Sequence, residues 1–140
     1  MIYFDSRALL KFIKKEAETE ALRAWRAALP DDAEFATSVL AHLEVTRTLL
    51  RAKADHQKVP FYANEALKGC VLLDLSPFVL ERARSYRTAR LGTLDSIHLA
   101  TADPFRSELS AFVTYGKELE DAAASLGFPV LAPGRVAQGD

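Results

Sequence analysis

The stretch Leu91–Ala102 constrains the fold more than any other part of the chain. It consists of a glycine break, a threonine suited to cap a helix, and a largely apolar helix with Asp95 near its start and His98 almost one turn later. Asp and Glu are rarely fully buried unless a partner neutralises them. We therefore expect Asp95 to cap the helix, to pair with a basic group or to bind a metal ion.

Length and composition are those of one ordinary globular domain. The chain has 140 residues, of which 49% are apolar and 26% charged, so it can bury a core without disulfides or a structural metal. The formal net charge of -1 argues against a surface that binds polyanions all over, while a local basic patch is still compatible with it. We expect a single domain over residues 1–140, with a flexible tail at residues 134–140.

The sequence favours a cytoplasmic location. Cys70 is the only cysteine and lies in an apolar run, which predicts a buried, inert thiol and fits a reducing compartment. The first residues contain no basic region followed by a hydrophobic segment, and no apolar run approaches the ~20 residues that span a bilayer. We therefore expect neither export nor membrane insertion.

Strand and helix patterns alternate along the chain. Short apolar runs predict strands near residues 2–4, 34–37, 70–75, 111–115 and 129–131. Helical spacing, caps at Ser6, Ser38 and Ser76, and a stop at Gly127 predict helices near 6–15, 18–29, 38–54, 60–67, 76–90, 93–102 and 118–126. The alternation predicts an α/β sandwich with a mainly parallel sheet. A nucleotide-binding module is disfavoured, because the 6 glycines form no phosphate-binding loop such as GxGxxG.

Three acids occupy comparable places in this predicted order. Asp5 ends the first strand, Glu44 lies on the helix after the second strand, and Asp95 opens the organising helix. A parallel sheet can bring all three to one edge, where two carboxylates ~4 Å apart repel by roughly 4 kcal/mol at an effective dielectric of ~20. Such a cluster requires protonation or a cation. Oxygen ligands without a Cys or His set favour Mg²⁺ or Mn²⁺.

Each of these residues also has an ordinary structural explanation. Asp5 follows a strand and is placed to cap a helix, Glu44 can pair with Arg47, and Asp95 favours the positive end of its helix dipole by ~0.3 to 1 kcal/mol. His98 is expected to be a packed, hydrogen-bonded structural histidine, with a base or a ligand as the alternative.

Four segments resemble, in order, the sequence pattern of PIN-domain ribonucleases of the VapC toxin type: Tyr3–Lys11, Ser38–Arg47, Leu94–Ala102 and Phe112–Tyr115. The resemblance implies a PIN-like three-layer α/β/α sandwich and a metal-dependent endoribonuclease site that uses Mg²⁺ or Mn²⁺. It carries over Asp5, Glu44 and Asp95 as the catalytic, metal-binding acids.

The resemblance also implies partners. These are an RNA substrate, a cognate VapB-type antitoxin whose peptide lies along the groove near the acidic pocket, and a second copy of the chain in a homodimer. DNA is expected only indirectly, through the antitoxin complex. Around the pocket, Ser6 and Thr114 are candidates to support a bound water or phosphate, and the residues expected to border it and hold RNA phosphates are Arg7, Lys11 and Arg47.

One position departs from the family pattern. The family usually has an aspartate directly after the Thr-Tyr of the fourth strand, where this chain has Gly116. The departure allows a second interpretation, in which the chain is a weakened or inactive PIN protein that acts mainly as an antitoxin-binding module. Three acids further along are possible substitutes but read more simply as a solvated helix start: Glu118, Glu120 and Asp121.

Overall fold

The computed structural model describes residues 1–135 and shows a parallel sheet between two layers of helices. The sheet has five strands in the order β3-β2-β1-β4-β5, and each neighbouring pair is parallel. The strands are β1 (Ile2–Phe4), β2 (Phe35–Ser38), β3 (Cys70–Leu73), β4 (Ala111–Val113) and β5 (Val130–Leu131). The predicted α/β/α sandwich with a mainly parallel sheet is confirmed.

Helices connect these strands, as parallel pairing requires. They are α1 (Ser6–Lys11), α2 (Thr19–Ala27), α3 (Leu40–Arg51), α4 (Val59–Leu67), α5 (Pro77–Ser85), α6 (Thr93–Ala102) and α7 (Lys117–Ser125), with a 3₁₀ helix at Asp103–Glu108. Among residues 1–135, no helix combines the length and the apolar character needed to cross a membrane.

The central strand β1 separates two apolar cores, because successive side chains of a strand point to opposite faces. Phe4 packs with residues of α1, α2, α3 and α4, such as Leu9 and Leu22. Tyr3 faces the other way and packs with Phe112 and with residues of α6 and α7, such as Leu99. A strand with both faces covered must be apolar throughout, and β1 is buried at every position.

Several helices end earlier than the sequence predicts, α1 and α5 by the most. The first ends at Lys11 rather than near residue 15, and its last carbonyl accepts a hydrogen bond of 2.9 Å from the Thr19 hydroxyl. The fifth ends at Ser85 rather than near Arg90, because Tyr86 takes an extended conformation and its hydroxyl donates to Asp103 at 2.8 Å. In both cases a distant side chain outweighs local helix propensity.

The predicted caps are partly right. Ser76 caps α5 as predicted, since its Oγ accepts from the Val79 N–H at 3.2 Å. The cap expected at Thr93 is wrong, because the N-cap of α6 is Gly92 and Thr93 is already helical. Ser38 belongs to β2, and α3 begins two residues later at Leu40, whose N–H donates to the Ser38 Oγ at 3.0 Å.

Two further expectations concern the thiol and the tail. Cys70 is half-buried rather than buried, and burial raises the pKa of its thiol despite the nearby Arg26 guanidinium, which fits an inert cysteine. Most of the predicted flexible tail, residues 136–140, lies outside the described residues. Of its described part, Arg135 donates to the Tyr115 carbonyl and to the Glu120 carboxylate.

We expect Leu99→Ala to lower the free energy of unfolding by about 2–5 kcal/mol, because it leaves a cavity in the core between β1 and α6. Leu99 is 0% exposed, whereas Leu94 on the same helix is 49% exposed. Leu94→Ala is the matched control and should change stability by no more than about 0.5 kcal/mol. Urea denaturation measures both variants, and equal losses would contradict this packing.

Candidate active site

Asp5 lies at the carboxyl end of β1 and joins three parts of the fold. One carboxylate oxygen accepts a hydrogen bond from the Ala8 N–H at 2.9 Å and so caps α1. The other accepts from the Thr114 hydroxyl at 2.5 Å, which ties β1 to the end of β4. Burial raises the pKa of Asp5, and the Asp95 carboxylate adds to the rise, while His98 and the two hydrogen bonds oppose it. Asp5 is therefore both a cap and a costly buried acid.

Asp95 lies in the first turn of α6 but does not cap it. The N-cap is Gly92, which has no side chain to bond the helix. Burial raises the pKa of the half-buried Asp95, and Glu44 and Glu118 raise it further, while Arg7 and His98 lower it. The acid thus faces other charged groups of the site rather than the amides of its own helix.

Glu44 is held by a hydrogen-bonded chain that begins in the core. Its Oε1 lies 2.6 Å from Nε2 of His98, whose Nδ1 lies 2.7 Å from the Tyr3 hydroxyl. An ionised Glu44 can only accept, so Nε2 donates to it, and in a neutral imidazole Nδ1 then accepts from the Tyr3 hydroxyl. Because His98 is 1% exposed, its interpretation as a packed, hydrogen-bonded histidine is confirmed. The alternative pairing of Glu44 with Arg47 is not what the structure shows.

These acids meet in one cavity of about 280 Å³, which we call the acidic cavity. Its walls come from the end of β1, the start of α1, α3 and the start of α6. The lining residues are Asp5, Ser6, Arg7, Glu44, Gly92, Thr93, Leu94, Asp95 and His98. The structure therefore brings together the three carboxylates that the sequence places on separate elements.

The chemistry of these donors fits a hard divalent cation, although their present arrangement is not a formed metal site. Three carboxylates share the cavity, and carboxylate oxygens are the ligands that such cations prefer. Burial is the main cause that raises the pKa values of Asp5 and Asp95, and neighbouring carboxylates add to the rise. Within residues 1–135, no three His, Cys, Asp or Glu side chains are placed to hold one metal ion. Glu44 is turned toward His98 instead.

Gly116 is the buried N-cap of α7 and borders the same cluster. Its N–H donates to the Thr114 hydroxyl oxygen at 3.1 Å, and that hydroxyl in turn donates to Asp5. A Cβ at this position would lie 3.1 Å from Nη1 of Arg7 and 3.7 Å from Oγ1 of Thr114. The space that a side chain would enter is therefore bounded by the Arg7 guanidinium and by the Thr114 hydroxyl that bonds Asp5.

The proposed substitutes for a fourth acid differ in where they lie. Glu120 pairs with Arg135, and Asp121 pairs with Lys117 at 3.2 Å on the exposed face of α7. Only Glu118 acts on the pKa of a cavity acid, Asp95, and its side chain is exposed. No acid on α7 takes the buried position next to Thr114.

The predicted basic residues separate into two groups. Arg7 lines the acidic cavity and the adjoining groove of about 350 Å³ beside α3, and Arg47 lines that groove. Lys11 lines neither, because its ammonium pairs with Glu18 at 3.0 Å and lies 4.6 Å from the centroid of the Tyr115 ring. Lys11 thus secures the end of α1, and of the three predicted basic residues Arg7 and Arg47 alone line the acidic cavity or the groove.

Sequence reasoning missed Tyr3 and the closeness of Arg7 to Gly116. A tyrosine inside a buried strand needs a partner for its hydroxyl, and this was the available signal for Tyr3. The identity of that partner, His98, lies 95 residues away and follows only from the fold. The approach of Arg7 to Gly116 has no counterpart in the sequence pattern.

The chain belongs to the PIN domain family, whose pattern matches residues 2–125. Among its relatives, Ribonuclease VapC47 of Mycobacterium tuberculosis is 38% identical over 97% of this chain and 99% of that protein. Ribonuclease VapC46 of the same species is 38% identical over 94% of this chain and 97% of that protein. The resemblance to the VapC type of PIN protein is therefore confirmed.

Solved structures share the fold at low sequence identity. VapC20 of Mycobacterium tuberculosis, described as a toxin that cleaves the sarcin-ricin loop, aligns with a TM-score of 0.73 at 14% identity and covers 95% of this chain and 100% of that chain. VapBC2 of Rickettsia felis, crystallised with a DNA fragment from its promoter, gives 0.71 at 15% identity and covers 95% of this chain and 99% of that chain. These likenesses establish the PIN fold.

We expect Asp5→Asn to gain stability relative to the wild type as the pH rises. Because the pKa of Asp5 is raised by folding, the native state keeps a proton that the unfolded chain loses, and wild-type stability falls as pH rises from the unfolded value toward the folded one. Asparagine carries no such proton and keeps an oxygen for the Ala8 N–H.

Urea denaturation at about pH 5 and about pH 8 tests this, with the exposed Asp74→Asn as control. The advantage of Asp5→Asn should be larger at the higher pH, while Asp74→Asn should track the wild type. An advantage that shrinks as the pH rises would show that Asp5 is stabilised, not penalised, by its surroundings.

Proposed function

We propose that the chain is a cytoplasmic, metal-dependent endoribonuclease toxin of a toxin–antitoxin pair, which hydrolyses RNA phosphodiester bonds in the acidic cavity. The observation that carries the proposal is the convergence of Asp5, Glu44 and Asp95 on one cavity, with the pKa values of the two aspartates raised. The names of relatives such as Ribonuclease VapC47, at 38% identity over nearly the whole chain, support the substrate class.

The residues that would hold Mg²⁺ or Mn²⁺ are Asp5, Asp95 and Glu44. Such an ion polarises a scissile phosphate and lowers the pKa of a bound water, so that hydrolysis needs no covalent intermediate. The chain's own part is orientation: Thr114 and the start of α1 fix the Asp5 carboxylate, and His98 fixes Glu44. These contacts hold the Asp5 and Glu44 carboxylates at the cavity, and the three acids must still rearrange to enclose one ion, since no three of them are placed to do so within residues 1–135.

We expect Asp5→Asn and Asp95→Asn to remove cation-dependent RNA cleavage while keeping the fold. Each substitution replaces an anionic ligand by a neutral amide of the same size and so weakens a Mg²⁺ or Mn²⁺ site strongly. Cleavage of a structured RNA in a titration of either cation measures the effect, circular dichroism checks the fold, and Asp74→Asn is the control. Full activity in both cavity variants would refute the proposal.

A second candidate function is a catalytically weakened or inactive PIN protein that acts mainly by binding its antitoxin. Gly116 favours it, because no acid takes the buried position beside Thr114 within residues 1–135. The groove beside α3 suits a peptide with apolar and acidic side chains: Leu40, Leu43 and Leu94 line it together with Arg47 and Arg51. On this view DNA is bound only through the antitoxin complex.

Cleavage by the unaltered chain separates the two candidates. RNA cleavage that appears on addition of Mg²⁺ or Mn²⁺ and disappears with EDTA supports the endoribonuclease. An intact RNA at saturating cation, with a chain that is folded by circular dichroism, supports the binding module instead.

We further propose that the chain forms a homodimer. The edge strand β3 and the following helix α5 expose apolar side chains, including Val71 at 61% and Phe78 at 59%. Exposed apolar surface at a sheet edge is typical of an interface. Light scattering should report twice the 15.5 kDa chain mass. Val71→Lys should shift the measured mass toward that of the monomer. A wild-type chain that is monomeric by light scattering would exclude the dimer.

A further inference from the structure

Arg7 occupies the place where a side chain at position 116 would point. Its Nη1 lies 3.1 Å and its Cζ 3.9 Å from the position of a Cβ on Gly116. Gly116 is buried and has φ -83°, which any residue adopts, so its backbone does not require a glycine. The absence of a side chain at position 116 leaves room for the Arg7 guanidinium.

The guanidinium is not used by the fold. No ion pair or side-chain hydrogen bond in the described part of the chain involves Arg7, although three carboxylates share its cavity. It is near enough to Asp95 to lower the pKa of that acid. The residue is exposed and lines both the acidic cavity and the groove beside α3, so its donors are open to a ligand.

We propose that Arg7 binds an RNA phosphodiester from the space that a fourth carboxylate would fill, so that the site presents a guanidinium where a fourth acidic ligand is absent. This inference rests on the proposed function for the identity of its ligand. A planar guanidinium matches the oxygens of a phosphate and donates to two of them at once. Arg7 lines both the acidic cavity and the groove beside α3, so it lies where RNA that reaches the acids would pass.

The alternative role for Arg7 is to neutralise the acids in the absence of a cation. That role and phosphate binding make opposite predictions for RNA affinity. If Arg7 only compensated the charge of Asp95, its removal would weaken RNA binding no more than the removal of any other exposed arginine does. If it binds phosphate, its removal must cost more than the general loss of one positive charge.

The test measures binding of a fluorescein-labelled, single-stranded RNA of mixed sequence in excess EDTA, by fluorescence anisotropy. Without a divalent cation the acids cannot support RNA cleavage, so the comparison reports binding alone. We expect Arg7→Gln to weaken binding about tenfold and to reduce the slope of log K against log salt by about 0.7, the value for one phosphate contact on a single strand. Arg84→Gln is the matched control, because Arg84 is 77% exposed and lines neither the acidic cavity nor the groove beside α3. It should change affinity less than about twofold.

Position 116 gives an independent check on where Arg7 acts. Gly116→Asp places a carboxylate against the guanidinium and should weaken RNA binding about as much as Arg7→Gln does. Gly116→Asn has the same size without the charge: it crowds the guanidinium but does not form an ion pair with it, so it should weaken RNA binding less than Gly116→Asp does. In the Gly116→Asp background, Arg7→Gln should cost about twofold rather than tenfold, because the guanidinium is already engaged.

Three results would overturn the inference. The first is that Arg7→Gln binds RNA no worse than Arg84→Gln, including the case in which neither variant nor the wild type binds RNA. The second is a full tenfold loss of RNA affinity from Arg7→Gln in the Gly116→Asp background. The third is an equal loss of RNA affinity from Gly116→Asp and Gly116→Asn. Circular dichroism of every variant checks the fold. The proposed function fails separately, if the wild type binds no Mn²⁺ by electron paramagnetic resonance, and the comparison in EDTA does not depend on that result.

Discussion

The buried carboxylate of Asp5 is the interaction on which the rest of the structure depends. It caps α1 through the Ala8 N–H and accepts from Thr114 at the end of β4, so one side chain fixes a helix, two strands and a wall of the acidic cavity. Its burial is unfavourable for a charged group, and the two hydrogen bonds offset part of that cost. The protein thus keeps a charged group in a buried position where its ionisation is penalised, as is usual for a functional site.

Two basic side chains, His98 and Arg7, lie beside the carboxylates of the acidic cavity in different surroundings. His98 holds Glu44 through a short hydrogen bond that the core tyrosine supports, and this pair is nearly closed to solvent on the His98 side. Arg7 is instead open and without a partner among the described residues. The bond from His98 holds Glu44 in one orientation, whereas the open guanidinium of Arg7 is available to an incoming anion. A site without a fourth carboxylate is therefore not simply a depleted version of a site that has one.

The sequence predicted the succession of strands and helices along the chain and the meeting of Asp5, Glu44 and Asp95 at one cavity. Asp5 and Glu44 follow the ends of the parallel strands β1 and β2, whereas Asp95 lies in α6, which comes after α5 rather than after a strand. The sequence did not predict where α1 and α5 stop, since Thr19 and Tyr86 end them through contacts with residues far along the chain. Contacts between distant residues also explain the other gaps. Nothing local in the sequence indicates that Tyr3 supports His98 or that Arg7 lies against Gly116.

The bond between Thr114 and Asp5 joins residues that are 109 positions apart. The central strand is the first to be synthesised, yet one of its two neighbours, β4, is among the last. Pairing over such a separation closes a long loop and is slow compared with the formation of local structure. A nascent chain on the ribosome therefore contains Asp5 and Glu44 long before it can assemble the cavity that holds them. For a protein proposed to cut RNA, the complete site cannot form until β4 and Thr114 have been synthesised.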